Sequence, residues 1–308
     1  MASVLQAFVD PDVTVDGKRR ASVPLVQLQT LWFNTGTLCN LTCQHCYIES
    51  SPRNDRLAYL TPVELERYLD ELVALGQRTE EIGFTGGEPF LNPDIIDLLG
   101  RSLVRGFRVL VLTNAMRPMM KHAERLEALR DRFGAALCVR VSLDHFRPEL
   151  HEAERGPRTW KPTLAGLKWL SDRGFAVHVA GRSLWGGTDD ELRAGYAALF
   201  AAEGIDVDTH DPRTLVLFPE MDSTAAVPEI TTECWDILHK SPSDVMCATS
   251  RMVIKRKGEA PSVVSCTLLP YDERFDFGPR LADALGAEKL NHPHCAKFCV
   301  LGGGRCSG

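Results

Sequence analysis

The apolar residues of this 308-residue chain fall into short continuous runs, separated by longer stretches in which they recur every three to four positions. Short runs of this kind are typical of buried β-strands, and the longer stretches are typical of amphipathic helices. The strand-like runs span residues 31–36, 82–89, 107–114, 136–144, 175–182 and 214–218. The helical stretches between them span residues 61–76, 92–106, 121–132, 159–172 and 188–202.

The first predicted helix has the clearest boundaries. Thr61 and Glu64 have the spacing of a capping box, and Pro62 suits the first helical turn. The apolar face that we expect to turn inward consists of Leu65, Leu69, Leu72 and Val73.

Regular alternation of strands and helices predicts an α/β fold with a parallel sheet and right-handed crossovers. The pattern alone allows either an open doubly wound sheet or a barrel. In both arrangements a ligand site is expected at the carboxyl ends of the strands.

A cluster of three cysteines follows the first predicted strand. Cys39, Cys43 and Cys46 are spaced C-x3-C-x2-C. Thiolates are the usual ligands of iron–sulfur clusters, and three of them leave one iron of a four-iron cluster open to a reactant. A structural zinc knot is the alternative on spacing alone, although such sites usually gather four Cys or His ligands.

The second strand ends in Gly86-Gly87-Glu88-Pro89. Together with the cysteine loop, this segment resembles the radical S-adenosylmethionine (SAM) enzymes, and the resemblance extends over about residues 31–214. The position before the third cysteine is commonly aromatic in that family and is His45 here; an imidazole can still pack beside adenine. The resemblance favours a partial barrel of six β/α units with parallel strands.

The resemblance also implies a set of site residues. Cys39, Cys43 and Cys46 would hold a SAM-binding 4Fe-4S cluster. SAM would be bound at Gly86, Gly87 and Glu88. Further candidates for SAM binding are Tyr47 after the cysteine loop and, at the ends of later strands, Asn114, Ser142, Asp144 and Arg182. Asn114 can instead turn the chain, and Arg182 can instead grip a substrate carboxylate or lie exposed to solvent. The segment 151–156 matches the family's loop after the fourth strand and is interpreted as structural. Packing or surface roles are expected for His145, Trp185, His210 and Glu220, although all four lie near strand ends.

A second group of cysteines lies near the C-terminus. Two of them flank a predicted β-hairpin, and the group consists of Cys247, Cys266, Cys295, Cys299 and Cys306. This arrangement resembles the auxiliary-cluster domains of radical SAM enzymes called twitch or SPASM domains. The expected ligands of one auxiliary 4Fe-4S cluster are Cys247, Cys266, Cys295 and Cys299, although Cys306 can replace any of them. A zinc ribbon is the alternative, because His292 and His294 are nearby.

Three regions are therefore predicted: an N-terminal extension over residues 1–30 that wraps over the barrel, the radical SAM partial barrel over 31–233, and a small hairpin-containing, cysteine-rich domain over 234–308. Cys138 and Cys234 are isolated and are interpreted as packing cysteines.

The implied chemistry is reductive cleavage of SAM to a 5′-deoxyadenosyl radical, which takes a hydrogen atom from the substrate. Oxidation, cross-linking or epimerisation can follow, and the candidate catalytic residues are Cys306, Arg182 and Asp144. The substrate is a small molecule or a peptide; the lack of a fused peptide-recognition domain favours the small molecule. A flavodoxin- or ferredoxin-type protein is the expected electron donor.

Charge and composition limit the other possibilities. The net charge is −6, and an acidic balance disfavours nucleic-acid substrates, including RNA modification. No apolar stretch approaches the roughly 18 residues of a membrane span, so no membrane partner is expected. Ten cysteines without an export signal indicate metal or redox use in the cytoplasm. The alternative function is a non-catalytic iron–sulfur or zinc protein that uses the same fold for binding or electron transfer.

Overall fold

The computed structural model of the chain describes residues 7–219 and 226–304. The strands in chain order are β1 (Ser22–Val23), β2 (Thr30–Asn34), β3 (Glu81–Thr85), β4 (Arg108–Thr113), β5 (Leu137–Ser142), β6 (Ala176–Arg182), β7 (Leu215–Phe218), β8 (Ser250–Ile254), β9 (Ser262–Val264) and β10 (Glu288–Lys289). The helices are α1 (Pro62–Ala74), α2 (Ile95–Val104), α3 (Arg117–Met120), α4 (Ala123–Phe133), α5 (Pro148–Arg155), α6 (Trp160–Asp172), α7 (Asp189–Glu203) and α8 (Cys234–Ile237).

Eight strands form one sheet in the order β7-β6-β5-β4-β3-β2-β8-β9. Strands β2 to β7 pair in parallel with their sequence neighbours, and a helix lies between each pair. This arrangement is the partial barrel of six β/α units that the sequence predicts.

The predicted C-terminal hairpin is present but is part of the barrel sheet. Strand β8 pairs in parallel with β2, and β9 pairs antiparallel with β8. The hairpin therefore extends the sheet beyond β2. Strands from both sides of the proposed boundary near residue 234 belong to this one sheet.

Residues on the two faces of the strands belong to different cores, because successive side chains of a strand point to opposite faces. Leu31 and Phe33 of β2 join the core between the sheet and the surrounding helices, whereas Trp32 joins a second core inside the barrel. The interior core also contains Phe298 from the C-terminal region, which brings that region to the inner face of the barrel.

The N-terminal extension packs differently from the prediction. Phe8, Ala21 and Val23 form a third core with C-terminal residues such as Leu290, and β1 pairs with β10. The extension therefore lies largely against the C-terminal region rather than over the barrel.

The capping box of α1 is confirmed: the Thr61 hydroxyl accepts from the Glu64 amide, and the Glu64 carboxylate accepts from the Thr61 amide. Val73 was wrongly placed on the buried face; it is exposed, and Tyr68 takes the inward position. The sequence analysis also missed α5, which occupies the segment interpreted as a loop.

Among the described residues, no helix has both the length and the apolar character needed to cross a membrane.

Candidate functional site

A cavity of about 130 Å³ lies where the carboxyl ends of β3 to β7 meet the cysteine loop. Nearly every residue predicted for the first cluster and SAM lines its wall. The predicted residues found there are Cys39, Cys43, Cys46, Tyr47, Gly86, Gly87, Asn114, Ser142, Asp144 and Arg182. The side chains of Ser142 and Asp144 therefore share one direction, as the alternation along their strand predicts.

The cysteine loop places its three thiols in different surroundings. Cys39 is buried, and burial raises the pKa of its thiol to about 12, with the Glu88 carboxylate adding to the effect. Burial also raises the pKa of Cys43, although the Arg155 guanidinium acts in the opposite direction. These raised pKa values keep both thiols protonated in the absence of metal. Because metal ligation requires thiolates, binding of iron would release these protons.

Two glycines bring β3 against the cysteine loop. A Cβ atom on Gly87 would lie 2.3 Å from the Leu38 carbonyl oxygen, and one on Gly86 would lie 2.5 Å from the Gly36 carbonyl oxygen. The Gly87 amide also donates to the Gly36 carbonyl over 2.8 Å. No residue with a side chain fits this approach, so the glycines fix the spacing between the two parts of the cavity.

Glu88, which the resemblance assigns to SAM, has hydrogen-bond partners within the protein. Its carboxylate is absent from the cavity wall; it accepts hydrogen bonds from the Thr113 hydroxyl (2.8 Å), the Asn114 amide (2.8 Å) and the Phe90 amide (3.2 Å). Burial nevertheless raises the pKa of Glu88 to about 7. The side chain ties the end of β3 to the end of β4 and so positions Asn114, which does line the cavity.

Two arginines share the Asp144 carboxylate. Arg155 Nε and Nη2 both donate to it, and Arg182 Nε lies 3.4 Å from Asp144 Oδ1. Burial alone would raise the pKa of Asp144, but the two guanidinium groups bring it below its ordinary value. Asp144 therefore orients the arginines, which leaves it less suited to bind SAM directly.

Glu154 connects this charged group to the cysteine loop. Its Oε1 accepts from the His45 amide over 3.0 Å, its Oε2 lies 2.6 Å from His45 Nδ1, and its carbonyl accepts from the Gln44 amide. Arg182 Nη2 donates to the His45 carbonyl over 3.1 Å. His45 is thus engaged by Glu154 and is not among the residues that line the cavity.

The remaining wall of the cavity is apolar. Phe218 at the end of β7, Leu268 after β9 and Phe298 in the C-terminal region all contribute to it. The rings of Phe218 and Phe298 lie 5.6 Å apart. This wall faces the same space as the thiols and the charged residues.

Four C-terminal cysteines line a second cavity of about 20 Å³. They are the four chosen from the sequence: Cys247, Cys266, Cys295 and Cys299. Cys295 and Cys299 lie in a π-helix, Cys295–Leu301, a conformation that is frequent at functional sites. His292 and His294, which made a zinc ribbon credible, do not line this cavity.

His145, Trp185 and His210, for which packing or surface roles are expected, do not line the first cavity. His145 contacts the rings of Phe146 and Trp185 and is buried, and His210 is exposed. Neither His145 nor Trp185 contributes to the wall. Glu220 and Cys306 lie outside the described residues, so the candidate roles of Cys306 stay predictions.

The family model of the radical SAM superfamily matches residues 33–196, more than half of the chain. The chain belongs to the radical SAM superfamily. Among curated relatives, the subtilosin biosynthesis protein AlbA of Bacillus subtilis is 33% identical over 169 residues, covering 54% of this chain and 35% of AlbA. Mycofactocin maturase MftC of Mycobacterium tuberculosis is 30% identical over 138 residues, covering 45% of this chain and 33% of MftC. The chain spans about a third of the length of these relatives.

Solved structures of radical SAM proteins share the fold. SuiB of Streptococcus suis bound to SAM aligns with a TM-score of 0.60 at 15% identity, covering 83% of this chain and 64% of SuiB. The protein anSMEcpe with bound SAM aligns with a TM-score of 0.59 at 14% identity, covering 87% of this chain and 82% of that one. At this identity the likeness concerns the fold alone.

Superfamily members use a 4Fe-4S cluster and SAM, and the first cavity fits both. Its three thiols supply soft ligands suited to iron, and Gly86 and Gly87 expose main-chain groups to a ligand. Arg182 Nη1 is buried at this wall without a hydrogen-bond acceptor, although Glu154 Oε1 lies 3.7 Å away. Among the described residues, no three Cys, His, Asp or Glu side chains are close enough together to bind a single metal ion. A four-iron cluster binds each cysteine through a different iron and does not require such a group.

Glu154 and Arg155 are site residues that the sequence does not predict. Both lie in the segment 151–156, for which the resemblance indicates a structural role. An Arg-Gly pair one helix after the fourth barrel strand was the available signal, but only the fold turns this end of α5 toward the cysteines.

Proposed function

We propose that this protein is a radical SAM enzyme that reductively cleaves SAM and abstracts hydrogen from a peptide substrate. The observation that carries the proposal is a single cavity whose wall combines the three-cysteine loop, the Gly86-Gly87 turn and two arginines held by Asp144. When bound, the cluster and SAM supply the family's chemistry, a one-electron cleavage of the sulfonium C–S bond that generates a carbon radical.

The residues of the chain have distinct tasks in this scheme. Cys39, Cys43 and Cys46 hold the cluster, and the main chain at Gly86 and Gly87 receives the amino group of SAM. Arg182 supplies a guanidinium group for a carboxylate. Glu154 holds the cysteine loop in place while Asp144 holds the arginines, which limits movement at a centre where a shift of about 1 Å can cost about 100-fold in rate.

The apolar wall suits the reacting end of the substrate. Phe218, Leu268 and Phe298 exclude water from the space next to the charged residues, which protects a radical from quenching. A peptide is favoured over the small molecule because of the relatives: AlbA acts in the biosynthesis of the bacteriocin subtilosin, and SuiB has been solved with its precursor peptide SuiA. Heme synthases among the relatives keep a small molecule as the second candidate.

The second cavity supports an auxiliary 4Fe-4S cluster held by Cys247, Cys266, Cys295 and Cys299. Its wall and the SAM cavity are built from adjacent residues: Leu268 faces the first cavity and Leu269 the second, and Phe298 and Cys299 are divided in the same way. The two cavities therefore adjoin along these two segments, so that a substrate radical in the first cavity would have an electron acceptor in the neighbouring one. This proximity favours oxidation or cross-linking, in which the substrate loses a hydrogen atom, one electron and, where charge requires it, a proton.

The test is reduction of the anaerobically reconstituted protein with dithionite in the presence of SAM, followed by measurement of 5′-deoxyadenosine and iron. We expect 5′-deoxyadenosine and about eight irons per chain, falling to about four irons and no 5′-deoxyadenosine when Cys39, Cys43 and Cys46 are all replaced by alanine. Iron without SAM cleavage would favour the non-catalytic alternative. About four irons and one zinc per chain, instead of eight irons, would indicate a structural zinc site at the C-terminal cysteines.

A further inference from the structure

Arg251 of β8 is completely buried beside the second cavity. Its guanidinium donates four hydrogen bonds, all to main-chain carbonyls: those of Ala284 (2.8 Å), Cys247 (2.5 Å), Ser250 (2.8 Å) and Gly286 (2.8 Å). The Phe277 ring lies 5.3 Å from its Cζ. These contacts engage all three nitrogens of the guanidinium group but carry no negative charge.

Two other largely buried arginines of the chain, Arg20 and Arg155, are paired with carboxylates. Arg20 is as deeply buried and lies 2.5 Å from Glu229 Oε1, and Arg155 donates to Asp144. Within residues 7–219 and 226–304, Arg251 has no carboxylate at ion-pair distance. A buried charge without a counter-charge is costly, so the structure around Arg251 requires a negative group that the protein's own carboxylates do not supply at contact distance.

The hydrogen bonds of Arg251 point to where this negative charge lies. Arg251 Nη1 donates to the main-chain carbonyl of Cys247, a residue that lines the four-cysteine cavity. Glu288 lines the same cavity, but within the described parts of the chain it is not at ion-pair distance from Arg251. The thiols of this cavity are therefore the neighbouring groups that can become negative when they bind a metal centre.

We propose that Arg251 is the charge partner of the auxiliary iron–sulfur centre, balancing its cysteine thiolates and raising its reduction potential. The inference rests on the auxiliary centre proposed above. A centre that gains an electron becomes more negative, and a fixed cation nearby stabilises that reduced form by Coulomb attraction. Arg251 is thereby a positioning and tuning residue rather than a catalytic one, and it makes the centre a better acceptor of an electron from the neighbouring cavity.

The experiment is an EPR-monitored redox titration of the auxiliary centre, isolated by replacing Cys39, Cys43 and Cys46 with alanine. On this background we compare Arg251→Met and Arg251→Gln, which remove the charge, with Arg251→Lys, which keeps it. Arg20→Met is the matched control, since it removes an equally buried arginine that has its own carboxylate. Iron content and thermal unfolding are measured for each protein.

Either neutral variant that retains four irons should titrate at a more negative potential, while Arg251→Lys shifts less and Arg20→Met leaves the potential unchanged. If both neutral variants lose the iron and Arg251→Lys retains it, the positive charge is required for assembly, which also supports the proposal. An unchanged potential in an iron-loaded neutral variant overturns it. Loss of iron in all three Arg251 variants also overturns the proposal, because the lysine variant keeps the positive charge. Iron binding would then depend on the hydrogen bonds of the guanidinium group and not on its charge. Absence of iron from the isolated C-terminal site of the parent protein would instead refute the auxiliary centre itself.

Discussion

The two cysteine sites of this chain differ in how they are assembled and in what surrounds them. At the first, three cysteines from one loop line a cavity of about 130 Å³, and the charged residues beside them are paired with one another. At the second, four cysteines from three separate segments line about 20 Å³, beside Arg251, which has no carboxylate partner within residues 7–219 and 226–304.

This difference separates a site for a reactant from a site for a resident group. Three thiols leave one iron of a cluster without a protein ligand, and the larger cavity has room for a molecule to reach it. Four thiols complete a cluster, and the small cavity leaves no comparable space. The first site is expected to perform the chemistry and the second to hold or pass on an electron.

Loss of one cysteine from each site gives the largest expected effects. Cys43→Ala should abolish 5′-deoxyadenosine formation and remove about four irons, because the SAM-binding cluster loses a ligand. Cys299→Ala should remove the other four irons while reductive SAM cleavage continues. Iron content and 5′-deoxyadenosine are measured for each variant.

Cys138→Ala is the matched control, since Cys138 lies outside both cavities in the barrel interior; it should keep all the iron. Loss of SAM cleavage in Cys299→Ala at full first-site iron would show that the two sites are not separate in function.

Gly87→Ala tests whether the first site depends on the contact between β3 and the cysteine loop. A Cβ placed 2.3 Å from the Leu38 carbonyl must displace one of the two segments. We expect a loss of about 100-fold in the rate of SAM cleavage, as a displacement near 1 Å can produce. Gly100→Ala, in α2, is the control: its nearest neighbour would be 3.7 Å away, and it should stabilise the helix by about 1 kcal/mol. Equal rates for the two variants would show that this contact does not set the site's geometry.

Arg155→Met tests the paired charges of the first site. It removes the hydrogen bonds from Arg155 to the buried Asp144 but leaves Arg182 as a guanidinium partner, which should cost about 2–3 kcal/mol of unfolding free energy. The affinity for SAM should fall about 10- to 100-fold, as for other supporting residues of a metal site. Arg147→Met removes an exposed pair with Glu149 at the start of α5 and should cost at most about 1 kcal/mol. Thermal unfolding and equilibrium SAM binding are measured for both variants. Similar losses of unfolding free energy and SAM affinity in Arg155→Met and Arg147→Met would mean that burial of the Arg155–Asp144 pair is unimportant.

The two sites also differ in how many of their residues can be predicted from the sequence. The cysteine loop and Gly86-Gly87 are local motifs, so their residues were predicted individually. The four cysteines proposed as C-terminal ligands come from a dense group in the sequence, and in the structure all four line one cavity. Arg155, Glu154 and Arg251 were not predicted, because their roles depend on which helix end or strand faces a cavity. Glu88 was assigned to SAM from its motif, yet its three hydrogen bonds to β4 and the β3 turn are visible only in the fold.

The smallest expected effect concerns His151, which lies one helical turn before Arg155 on α5. The imidazole is fully buried against Trp160, and neither ring nitrogen has a hydrogen-bond partner in the part of the chain that the structure describes. Burial, with a further contribution from Arg155, lowers the pKa of His151 to about 4. Because the unfolded chain binds a proton near pH 6.5 and the folded chain does not, stability is lost as the pH falls from about 6.5 to about 4.

His151→Leu removes this titration and no hydrogen bond. The unfolding free energy of the variant minus that of the parent protein should be about 2 kcal/mol larger at pH 5.0 than at pH 7.5. Comparison at the two pH values cancels the change in packing, which is the same at both. A difference that does not vary with pH would mean that His151 is protonated in the folded protein at pH 5.0. The first site would then hold a third cation beside Arg155 and Arg182, and its charges would no longer be the balanced set that distinguishes it from the C-terminal site.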